Sequence, residues 1–235
     1  MLFPALRPLL FTLDPERAHR LSLAALMRMP TGKQPRHDPA LSVSLGGLTF
    51  PSPVGVAPGY DKDAEVPDAL LGLGFGFVEV GTITPMPQTG NPKPRLFRLV
   101  EDRAVINRMG VNNGGAGAAH QRLRKRAGKP GIVGVNIGAN KNSDDRTADY
   151  ALLTELMAPL ASYLTINISS PNTPGLRNLQ AGDALKHLLD AVFEARGADG
   201  PPVFLKLAPD LEPKEIDAIA KVALDSDLAA LIVSN

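Results

Sequence analysis

YLTINISSPN, residues 163–172, passes from a mostly apolar run into two hydroxyls, a proline and an amide. The apolar part has the length and residue types of a strand that is buried on both faces of a sheet. Parallel sheets of this kind bind their ligands where the strands end, so polar groups at this point have a reason to be there. The stretch therefore predicts a parallel sheet with a polar site at the carboxyl ends of its strands.

Five other runs share this strand-like character, and helical patterns separate them. The runs are VGVA (54–57), FVEV (77–80), IVGVNI (132–137), VFLKL (203–207) and ALIV (230–233). The helical patterns lie at about 64–73, 113–127, 147–158, 181–195 and 213–224. Extra hairpins are indicated around residues 46–47 and over 94–108. Buried strands that alternate with crossover helices predict an α/β fold built on one parallel sheet.

Two parallel architectures fit this alternation, the doubly wound sheet and the (β/α)8 TIM barrel. GLGFGF (72–77) precedes a strand rather than following one, so a dinucleotide-binding fingerprint is not supported and the barrel is preferred. A barrel needs eight strands, so residues 37–235 predict one that is incomplete after its sixth strand and a chain that is part of a longer protein. Made alone, such a chain would expose two sheet edges and tend to aggregate.

The composition narrows the functional classes. The 235 residues are 44% hydrophobic, enough for a sizeable core, and no run approaches the ~18 apolar residues of a spanning helix. A formal net charge of +1 gives no field that would attract nucleic acid, and the basic cluster at 122–129 is typical of a solvated helix end. With no cysteine and four scattered histidines, disulfides, a cysteine nucleophile and a metal site are not expected, and neither is a nucleic-acid partner.

Residues 1–36 predict a separate N-terminal helical segment. Its opening, MLFPALRPLLFTL, is interrupted by prolines and an arginine, which argues against a secretory signal. Asp14 and Pro15 predict a helix start, and the helix should run to about residue 28. Two interpretations stay open: a helical lid packed on the barrel, or amphipathic helices that lie on a membrane with leucines in the interfacial layer and arginines at the headgroups.

The strand ends offer mainly asparagine and lysine. Asparagine presents a donor and an acceptor side by side, which suits the edge of a planar heterocycle. Lys206 lies inside a buried run and should meet an anion, although a lysine that reaches from the strand end to solvent is the alternative. Lys62 fits either a carboxylate-binding role or an exposed turn, and INRMGVNNGG (106–115) fits either a ligand grip or an ordinary turn before a helix.

A series of motifs resembles the dihydroorotate dehydrogenase family in matching order over about residues 50–235. The motifs are GYDKD, EVGTITPMPQTGNPKPRLFRL, INRMGVNN, NIGANK, NISSPNTPGLRNLQ and KLAPD. LDPERAH (13–19) resembles the extension found in the membrane-associated, quinone-using branch of that family. The absence of cysteine agrees with that branch, which uses serine where soluble relatives use a cysteine base.

The resemblance implies FMN-dependent oxidation of dihydroorotate to orotate with a quinone as acceptor, in pyrimidine biosynthesis. It implies that hydride leaves C6 of the substrate for the flavin while Ser170 removes the C5 proton. The implied substrate contacts are Lys62, Asn107, Arg108, Met109, Gly110, Val111, Asn167, Asn172 and Asn235. The implied FMN contacts are Pro58, Gly59, Tyr60, Asp61, Lys62, Thr82, Asn136, Asn167, Lys206 and Ser234. We expect these strand-end groups to converge on one flavin.

The same resemblance implies a quinone tunnel lined by His19 and Arg98 under the N-terminal helices, and a peripheral location on the cytoplasmic face of the membrane in a bacterium. Pro58 departs from the alanine that is common in the family and removes one N–H donor to the flavin. Two alternative functions remain: another flavin-dependent dihydropyrimidine oxidoreductase, and a non-catalytic fragment that acts as a membrane-surface binding module.

Overall fold

Strands and helices alternate along most of the chain in the computed structural model, which describes residues 3–30, 34–169 and 182–233. The helices are α1 (Phe3–Phe11), α2 (Pro15–Leu26), α3 (Pro67–Gly72), α4 (Gly115–Arg126), α5 (Arg146–Met157), α6 (Gly182–Arg196) and α7 (Pro213–Leu224). The strands are β1 (Val43–Leu45), β2 (Leu48–Phe50), β3 (Gly55–Val56), β4 (Phe77–Ile83), β5 (Leu96–Leu99), β6 (Ala104–Asn107), β7 (Ile132–Ile137), β8 (Tyr163–Asn167), β9 (Val203–Lys206) and β10 (Ala230–Ile232).

The main sheet contains six parallel strands in the order β3-β4-β7-β8-β9-β10. Each new parallel strand is added on the same side of the previous one, so the order never reverses as it does in a doubly wound sheet. The sheet curls into a half-barrel, which confirms the predicted incomplete TIM barrel. Two antiparallel hairpins, β1-β2 and β5-β6, stand outside this sheet, as the turn signals predicted.

The two faces of the sheet differ in chemistry because side chains alternate along each strand. On one face, apolar strand residues such as Val78, Val80 and Leu164 are fully buried in a single core with residues of α3 to α6, including Leu71 and Leu153. Each such side chain contributes about 1.5–3 kcal/mol on burial. This layer is the main source of stability, and it leaves the other, concave face for polar groups.

The concave face carries aromatic residues at its base and polar residues above them. Phe77, Tyr163 and Phe204 lie on β4, β8 and β9, and Tyr163 stacks on Phe204 with ring centroids 4.7 Å apart. Phe50 of the β1-β2 hairpin packs edge-on against Phe77 and closes the base. Two residues further along the same strands come Glu79, Thr165 and Lys206, so the polar layer follows directly from the two-residue strand period.

Two local differences from the predicted elements have physical causes. The second strand was predicted to end at residue 80, but β4 continues to Ile83 through a register shift between Val80 and Ile83. The first barrel helix was predicted from residue 64, yet α3 begins at Pro67, because the Asp61 carboxylate accepts hydrogen bonds from the N–H groups of residues 65 and 66, both at 2.8 Å. The chain therefore forms a turn here before the helix starts.

The N-terminal segment forms two helices against the β5-β6 hairpin. Helix α2 starts where predicted: the Asp14 side chain accepts a hydrogen bond from Arg17 N at 2.9 Å, and Pro15 occupies the first turn. Helix α1 was not predicted from residue patterns, because Pro8 lies inside it. Pro8 is the sixth of the nine residues of α1, beyond the first turn, and it has no backbone N–H to donate, so the helix continues with one internal hydrogen bond missing.

Candidate functional site

Three side chains that were assigned to the flavin site lie together at the ends of neighbouring strands. Thr82 of β4, Asn136 of β7 and Asn167 of β8 form a closed hydrogen-bonded group, called here the strand-end triad. Thr82 Oγ1 donates to Asn136 Oδ1 at 2.6 Å, and Asn167 Nδ2 donates to Thr82 Oγ1 at 2.9 Å and to Asn136 Oδ1 at 3.2 Å. The irregularity in β4 turns Thr82 toward its partners.

The strand-end triad connects downward to Glu79 and onward to Ser169. Asn136 Nδ2 donates to Glu79 Oε1 at 2.8 Å, and Tyr163 Oη donates to Glu79 Oε2 at 3.0 Å. Asn167 Oδ1 accepts from both the N–H and the hydroxyl of Ser169, at 3.1 and 2.8 Å. Both N–H groups of the Asn167 amide are committed inside the triad, so this residue acts on a ligand mainly by holding its neighbours.

Lys206 points into a cavity of about 600 Å³ on the concave face of the sheet, called here the Lys206 cavity. The polar groups on its wall are those of Glu79, Tyr163 and Lys206, and Pro58 borders it. Lys206 is only 7% exposed, and no acceptor for its ammonium is found in the described parts of the chain. Burial lowers the pKa of Lys206, and the charge of Glu79 opposes that shift. A buried cation in this state favours an anionic ligand.

The segment 58–62 runs along the ends of β3 and β4 and is fixed by backbone hydrogen bonds. Gly59 N donates to the Gly81 carbonyl at 2.7 Å, and Gly81 N donates to the Asp61 carbonyl at 2.9 Å. Gly59 has φ +105°, which glycine adopts without strain. Asp61 was assigned to the flavin site, but its buried carboxylate is committed to the backbone of residues 65 and 66. Asp61 therefore has only its backbone available for a flavin contact.

Lys62 lines a second cavity, of about 660 Å³, called here the Lys62 cavity. This cavity lies between α2, the loop at 88–95 and the buried side chain of Met109. Burial lowers the pKa of Lys62, the Asp63 carboxylate opposes the shift, and the charge of Arg95 adds to it. Like Lys206, Lys62 has an ammonium that receives no hydrogen-bond partner from the described residues. Asn112 also borders the cavity, and its buried Oδ1 accepts no hydrogen bond from the described residues.

The loop at 107–113 was assigned to the substrate, and its side chains face different ways. Met109 enters the Lys62 cavity, whereas Asn107 and Arg108 are exposed and Arg108 donates to the Pro94 carbonyl at 3.0 Å. The carbonyls of Gly110 and Val111 accept hydrogen bonds from Gln88 Nε2, at 3.4 and 2.9 Å. Binding of a substrate by Arg108 would require this side chain to leave Pro94.

Helix α2 covers the Lys62 cavity with one polar face, on which Glu16, His19 and Arg20 follow the spacing of three and four residues. Glu16 pairs with Arg95, and Arg20 pairs with Glu65, both at 2.6–2.7 Å. His19 Nε2 donates to the Tyr60 carbonyl at 2.7 Å, and burial lowers the pKa of His19. The helix is thus attached to two loops around the cavity, the one between β3 and α3 and the one at 88–95.

Arg98, the second residue assigned to the quinone tunnel, lies on β5 and contacts the turn between α1 and α2. Its guanidinium donates to the carbonyl of Leu13 at 2.8 Å and to that of Phe11 at 3.4 Å. It also lies over the Phe11 ring, 4.8 Å from the centroid. Arg98 therefore holds the N-terminal helices against the hairpin, while His19 faces the Lys62 cavity.

The predicted convergence is found for some residues and not for others. Thr82, Asn136 and Asn167 come together, but Lys62 and Lys206 line separate cavities whose described walls share no residue. Four assigned residues lie outside the described residues: Ser170, Asn172, Ser234 and Asn235. The residue patterns missed the roles of Glu79 and Arg95, whereas Asn112 belongs to the stretch INRMGVNNGG, for which a ligand grip was one of the two interpretations. The signal for Glu79 was a single acid inside an otherwise buried run.

Comparison with known proteins gives a consistent assignment. The family model for dihydroorotate dehydrogenase matches residues 40–235. Proteins named dihydroorotate dehydrogenase (quinone) from Erythrobacter litoralis and Novosphingobium aromaticivorans are 68% and 66% identical over 100% and 99% of this chain, which spans 68% of each of them. The crystal structure of DHODH from Eimeria tenella in complex with ferulenol superposes with a TM-score of 0.88 at 42% identity, over 94% of this chain and 66% of that one.

The chain thus spans about two thirds of the length of these relatives, and the match continues through both cavities. A family model that covers the barrel, and relatives that align along the whole chain, agree with the half-barrel and its strand-end groups. The relatives named above are oxidoreductases. The chain belongs to the dihydroorotate dehydrogenase family.

Proposed function

We propose that the protein containing this chain oxidises dihydroorotate to orotate, with FMN as cofactor and a quinone as electron acceptor, in pyrimidine biosynthesis. The observation that carries the proposal is a pair of lysines, the partly buried Lys62 and the buried Lys206, whose ammonium groups have no partner among the described residues. Unpaired buried cations are costly and are kept where an anion binds. The substrate supplies a carboxylate and the cofactor supplies a phosphate and an electron-rich ring.

The residues of the Lys206 cavity fit a flavin. Its volume of about 600 Å³ lies in the range of cofactor sites, and Lys206 offers a positive charge to an anionic ring edge. The strand-end triad is hydrogen-bonded to Glu79 on the wall of this cavity, and Gly59, next to Pro58 on that wall, permits close approach of the backbone. When bound, FMN supplies the two-electron redox chemistry of the reaction. We place Pro58, Gly59, Thr82, Asn136 and Lys206 in contact with it.

The residues of the Lys62 cavity fit a small cyclic acid. Lys62 offers a charge to the carboxylate, and Asn112 Oδ1 offers an unused acceptor to a ring N–H. Met109 supplies an apolar surface beside them. We therefore assign substrate recognition to Lys62, Met109 and Asn112, together with Asn107 and Asn172 as the family resemblance implies, while Asn167 acts by holding its neighbours in place.

The base that takes the substrate proton is assigned to Ser170, which directly follows Ser169. A serine hydroxyl is a weak base, so its action depends on the acidity of the substrate C–H and on a proton path away from the hydroxyl. Ser169 is not suited to this role, because it is fully buried and its hydroxyl is committed to Asn167 Oδ1 at 2.8 Å. The two adjacent serines therefore have different roles.

The two cavities must cooperate for this chemistry, and the segment 58–62 connects them. Pro58 borders the Lys206 cavity and Lys62 borders the other. A Cβ atom placed on Gly59 would lie 3.9 Å from Lys62 Nζ, so the lysine folds back over this segment. A ligand pair stacked across residues 58–62 reaches both lysines, which is how we assign one reaction to two cavities.

The acceptor side of the reaction is assigned to the N-terminal helices. Exposed apolar side chains on and beside α1 and α2 include Leu9 at 68%, Leu21 at 56% and Met27 at 50%. Arg7 and Arg17 are exposed on the same segment. In the described part of the chain, no helix has the length and apolar character to cross a bilayer. We propose peripheral attachment of these helices to the cytoplasmic side of a membrane, where quinone reaches His19.

The full-length protein tests the proposal directly. We expect it to carry FMN as purified, to lose its yellow colour when dihydroorotate is added without oxygen, and to regain it with a soluble quinone. Dihydropyrimidines that lack the carboxylate should reduce the flavin more slowly than dihydroorotate does. Equal rates would mean that the protein is a different flavin-dependent oxidoreductase. A preparation that takes up no added FMN would favour a non-catalytic role.

A further inference from the structure

Glu79 is an acid in the concave face of the sheet for which the proposed reaction gives no role. It is 4% exposed and lies on β4 between Val78 and Val80, both of which face the opposite core. Its carboxylate accepts two hydrogen bonds, from Asn136 on β7 and from Tyr163 on β8. Gly134, directly across from Glu79, makes this possible, because any side chain there would occupy the space of the Tyr163 ring.

Glu79 determines the direction of every hydrogen bond above it, because both of its carboxylate oxygens accept: Oε1 from Asn136 and Oε2 from Tyr163. Asn136 must turn its Nδ2 toward Glu79, so its Oδ1 faces Thr82 and Asn167. Thr82 must then donate to Asn136 and accept from Asn167. Asn167 in turn is left with only its Oδ1 for Ser169. One acceptor at the base thus fixes a chain of hydrogen bonds that ends next to Ser170.

Glu79 also lies on the wall that carries Lys206. Within the described residues the two groups do not form a direct ion pair, yet they line the same cavity. The charge of Glu79 raises the pKa of Lys206 against the effect of burial. Burial raises the pKa of Glu79 in turn, while hydrogen bonds from Asn136 and Tyr163 and the charge of Lys206 oppose that rise. The charged groups that face each other here are therefore Glu79 and Lys206.

We propose that Glu79 is a positioning residue for the Lys206 cavity: it holds the Asn136 amide in the orientation that fixes Thr82 and Asn167, and it provides the negative charge opposite Lys206. The assignment of that cavity to a flavin rests on the proposed function. The hydrogen-bond directions and the charge pairing do not depend on it. They can be tested separately from the reaction.

The direction of the hydrogen bond from Asn136 to Glu79 can be tested in the full-length protein by exchanging the amide and the carboxylate between the two positions. Asn136→Asp places two carboxylates face to face and should lower the melting temperature by several degrees. Adding Glu79→Gln restores a donor opposite the new acceptor, so the double variant should recover most of the loss. Glu155→Gln, on the exposed face of α5, is the matched control and should rescue nothing. Loss in the double variant equal to or greater than the sum of the single losses would overturn the proposed direction.

The charge pairing is tested by titration of Lys206, followed by carbon NMR of labelled lysine and assigned with Lys206→Met. Glu79→Gln should move the titration to lower pH by about one unit, whereas Glu155→Gln should leave it in place. A titration that Glu79→Gln leaves unchanged would remove Glu79 from this role.

Flavin measurements then separate this inference from the proposed function. If the wild-type protein binds FMN and dihydroorotate reduces it, Glu79→Gln should weaken FMN binding by about tenfold or more. Unchanged affinity would show that Glu79 does not position the flavin site. If the wild-type protein binds no FMN, the proposed function fails, and the exchange and the titration still decide the two roles of Glu79.

Discussion

Arg95 donates to both carboxylate oxygens of Glu16, through Nη2 at 2.6 Å and Nε at 3.1 Å, and it is only 7% exposed. The same guanidinium binds the carbonyls of Thr89 and Asn91, so one side chain joins helix α2 to the loop at 88–95. Both elements line the Lys62 cavity. The ion pair therefore holds together two walls of the cavity that we assign to the substrate.

Glu16→Gln should destabilise the protein by about 3 kcal/mol, because it leaves a buried guanidinium without its counter-charge. Arg95 lowers the pKa of Glu16 below its ordinary value, chiefly through the side-chain hydrogen bonds. Stability from such a pair is complete above the unfolded-state pKa and is lost as the pH falls through the folded-state pKa. Urea unfolding at neutral and acidic pH should show the difference between wild type and variant shrinking on acidification.

The pair Lys186–Asp190 on α6 is the control for that experiment, since its side chains are 68% and 62% exposed. Asp190→Asn should change stability by no more than about 0.5 kcal/mol at any pH. If Asp190→Asn lowers the free energy of unfolding as much as Glu16→Gln does, then burial does not strengthen the Glu16–Arg95 ion pair.

Thr82→Val removes the hydroxyl that links Asn136 to Asn167. The two amides lose a donor and an acceptor in a buried setting, so we expect a loss of about 1–3 kcal/mol in the free energy of unfolding and weaker FMN binding. Thr154→Val is the matched control, because the Thr154 hydroxyl on α5 is buried and has no partner among the described residues. That substitution should be neutral or stabilising, and equal losses in both variants would contradict a triad that acts as a unit.

Much of this arrangement was predictable from the sequence, because local patterns determine it. Strand runs and helix signals placed all six parallel strands within a few residues, and the polar strand ends included the stretches that hold Thr82, Asn136 and Asn167, which the family resemblance then assigned to one site. Successive parallel strands end at the same edge of the sheet, so their last residues can be predicted to lie together even when no other contact is known. The buried position of Lys206 followed from its apolar neighbours in the same way.

The remainder depends on contacts between distant parts of the chain. Glu79 takes its partners from residues 57 and 84 positions later, and no local pattern specifies such pairs. Asp61 was assigned to the cofactor, but a turn that uses its carboxylate competes for it. Arg108 directly follows β6, whose residues are all exposed, so no alternation of buried and exposed residues revealed that Arg108 turns outward.

Ser170→Ala should slow reduction of the flavin by dihydroorotate by about 10²–10⁴-fold while orotate still binds, since the variant removes only the proposed base. Ser169→Ala is the neighbouring comparison. It removes one hydrogen bond to Asn167 and leaves the backbone N–H bond at 3.1 Å, so it should cost about 1 kcal/mol in stability and much less in rate. Stopped-flow reduction under anaerobic conditions measures both. If Ser169→Ala slows flavin reduction more than Ser170→Ala does, then Ser169 and not Ser170 is the base.

The two lysines should give opposite kinetic signatures when each is replaced by methionine, which keeps the length of the side chain. Lys62→Met should raise KM for dihydroorotate by about tenfold or more with FMN still bound, whereas Lys206→Met should weaken FMN binding. Substrate titration and flavin fluorescence distinguish these effects. Loss of both ligands in each variant would show that the cavities act as one site in solution.

Lys62→Met should also make the substrate-free protein more stable. Burial lowers the pKa of Lys62, so below the folded-state pKa the chain bears the cost of a desolvated charge. Between the pKa of Lys62 in the folded state and its pKa in the unfolded state, the unfolded chain binds more protons than the folded chain does. The free energy of unfolding of the wild type therefore rises with pH across that interval. The advantage of the variant in the free energy of unfolding should be largest at neutral pH and should shrink at alkaline pH. A variant that is less stable at neutral pH would contradict an unpaired Lys62.

Leu9→Ser should weaken attachment of the full-length protein to vesicles that contain anionic lipid. Leu9 is 68% exposed on α1, and transfer of a leucine side chain into the interfacial layer contributes about 1.5–3 kcal/mol, so the partition coefficient should fall by about tenfold or more. Leu224→Ser is the matched control, because Leu224 is 85% exposed at the end of α7. Co-sedimentation at several lipid concentrations measures both coefficients. If the two substitutions weaken binding equally, α1 is not the contact with the membrane, and the helices act instead as a lid held on the barrel by Arg98 and Arg95.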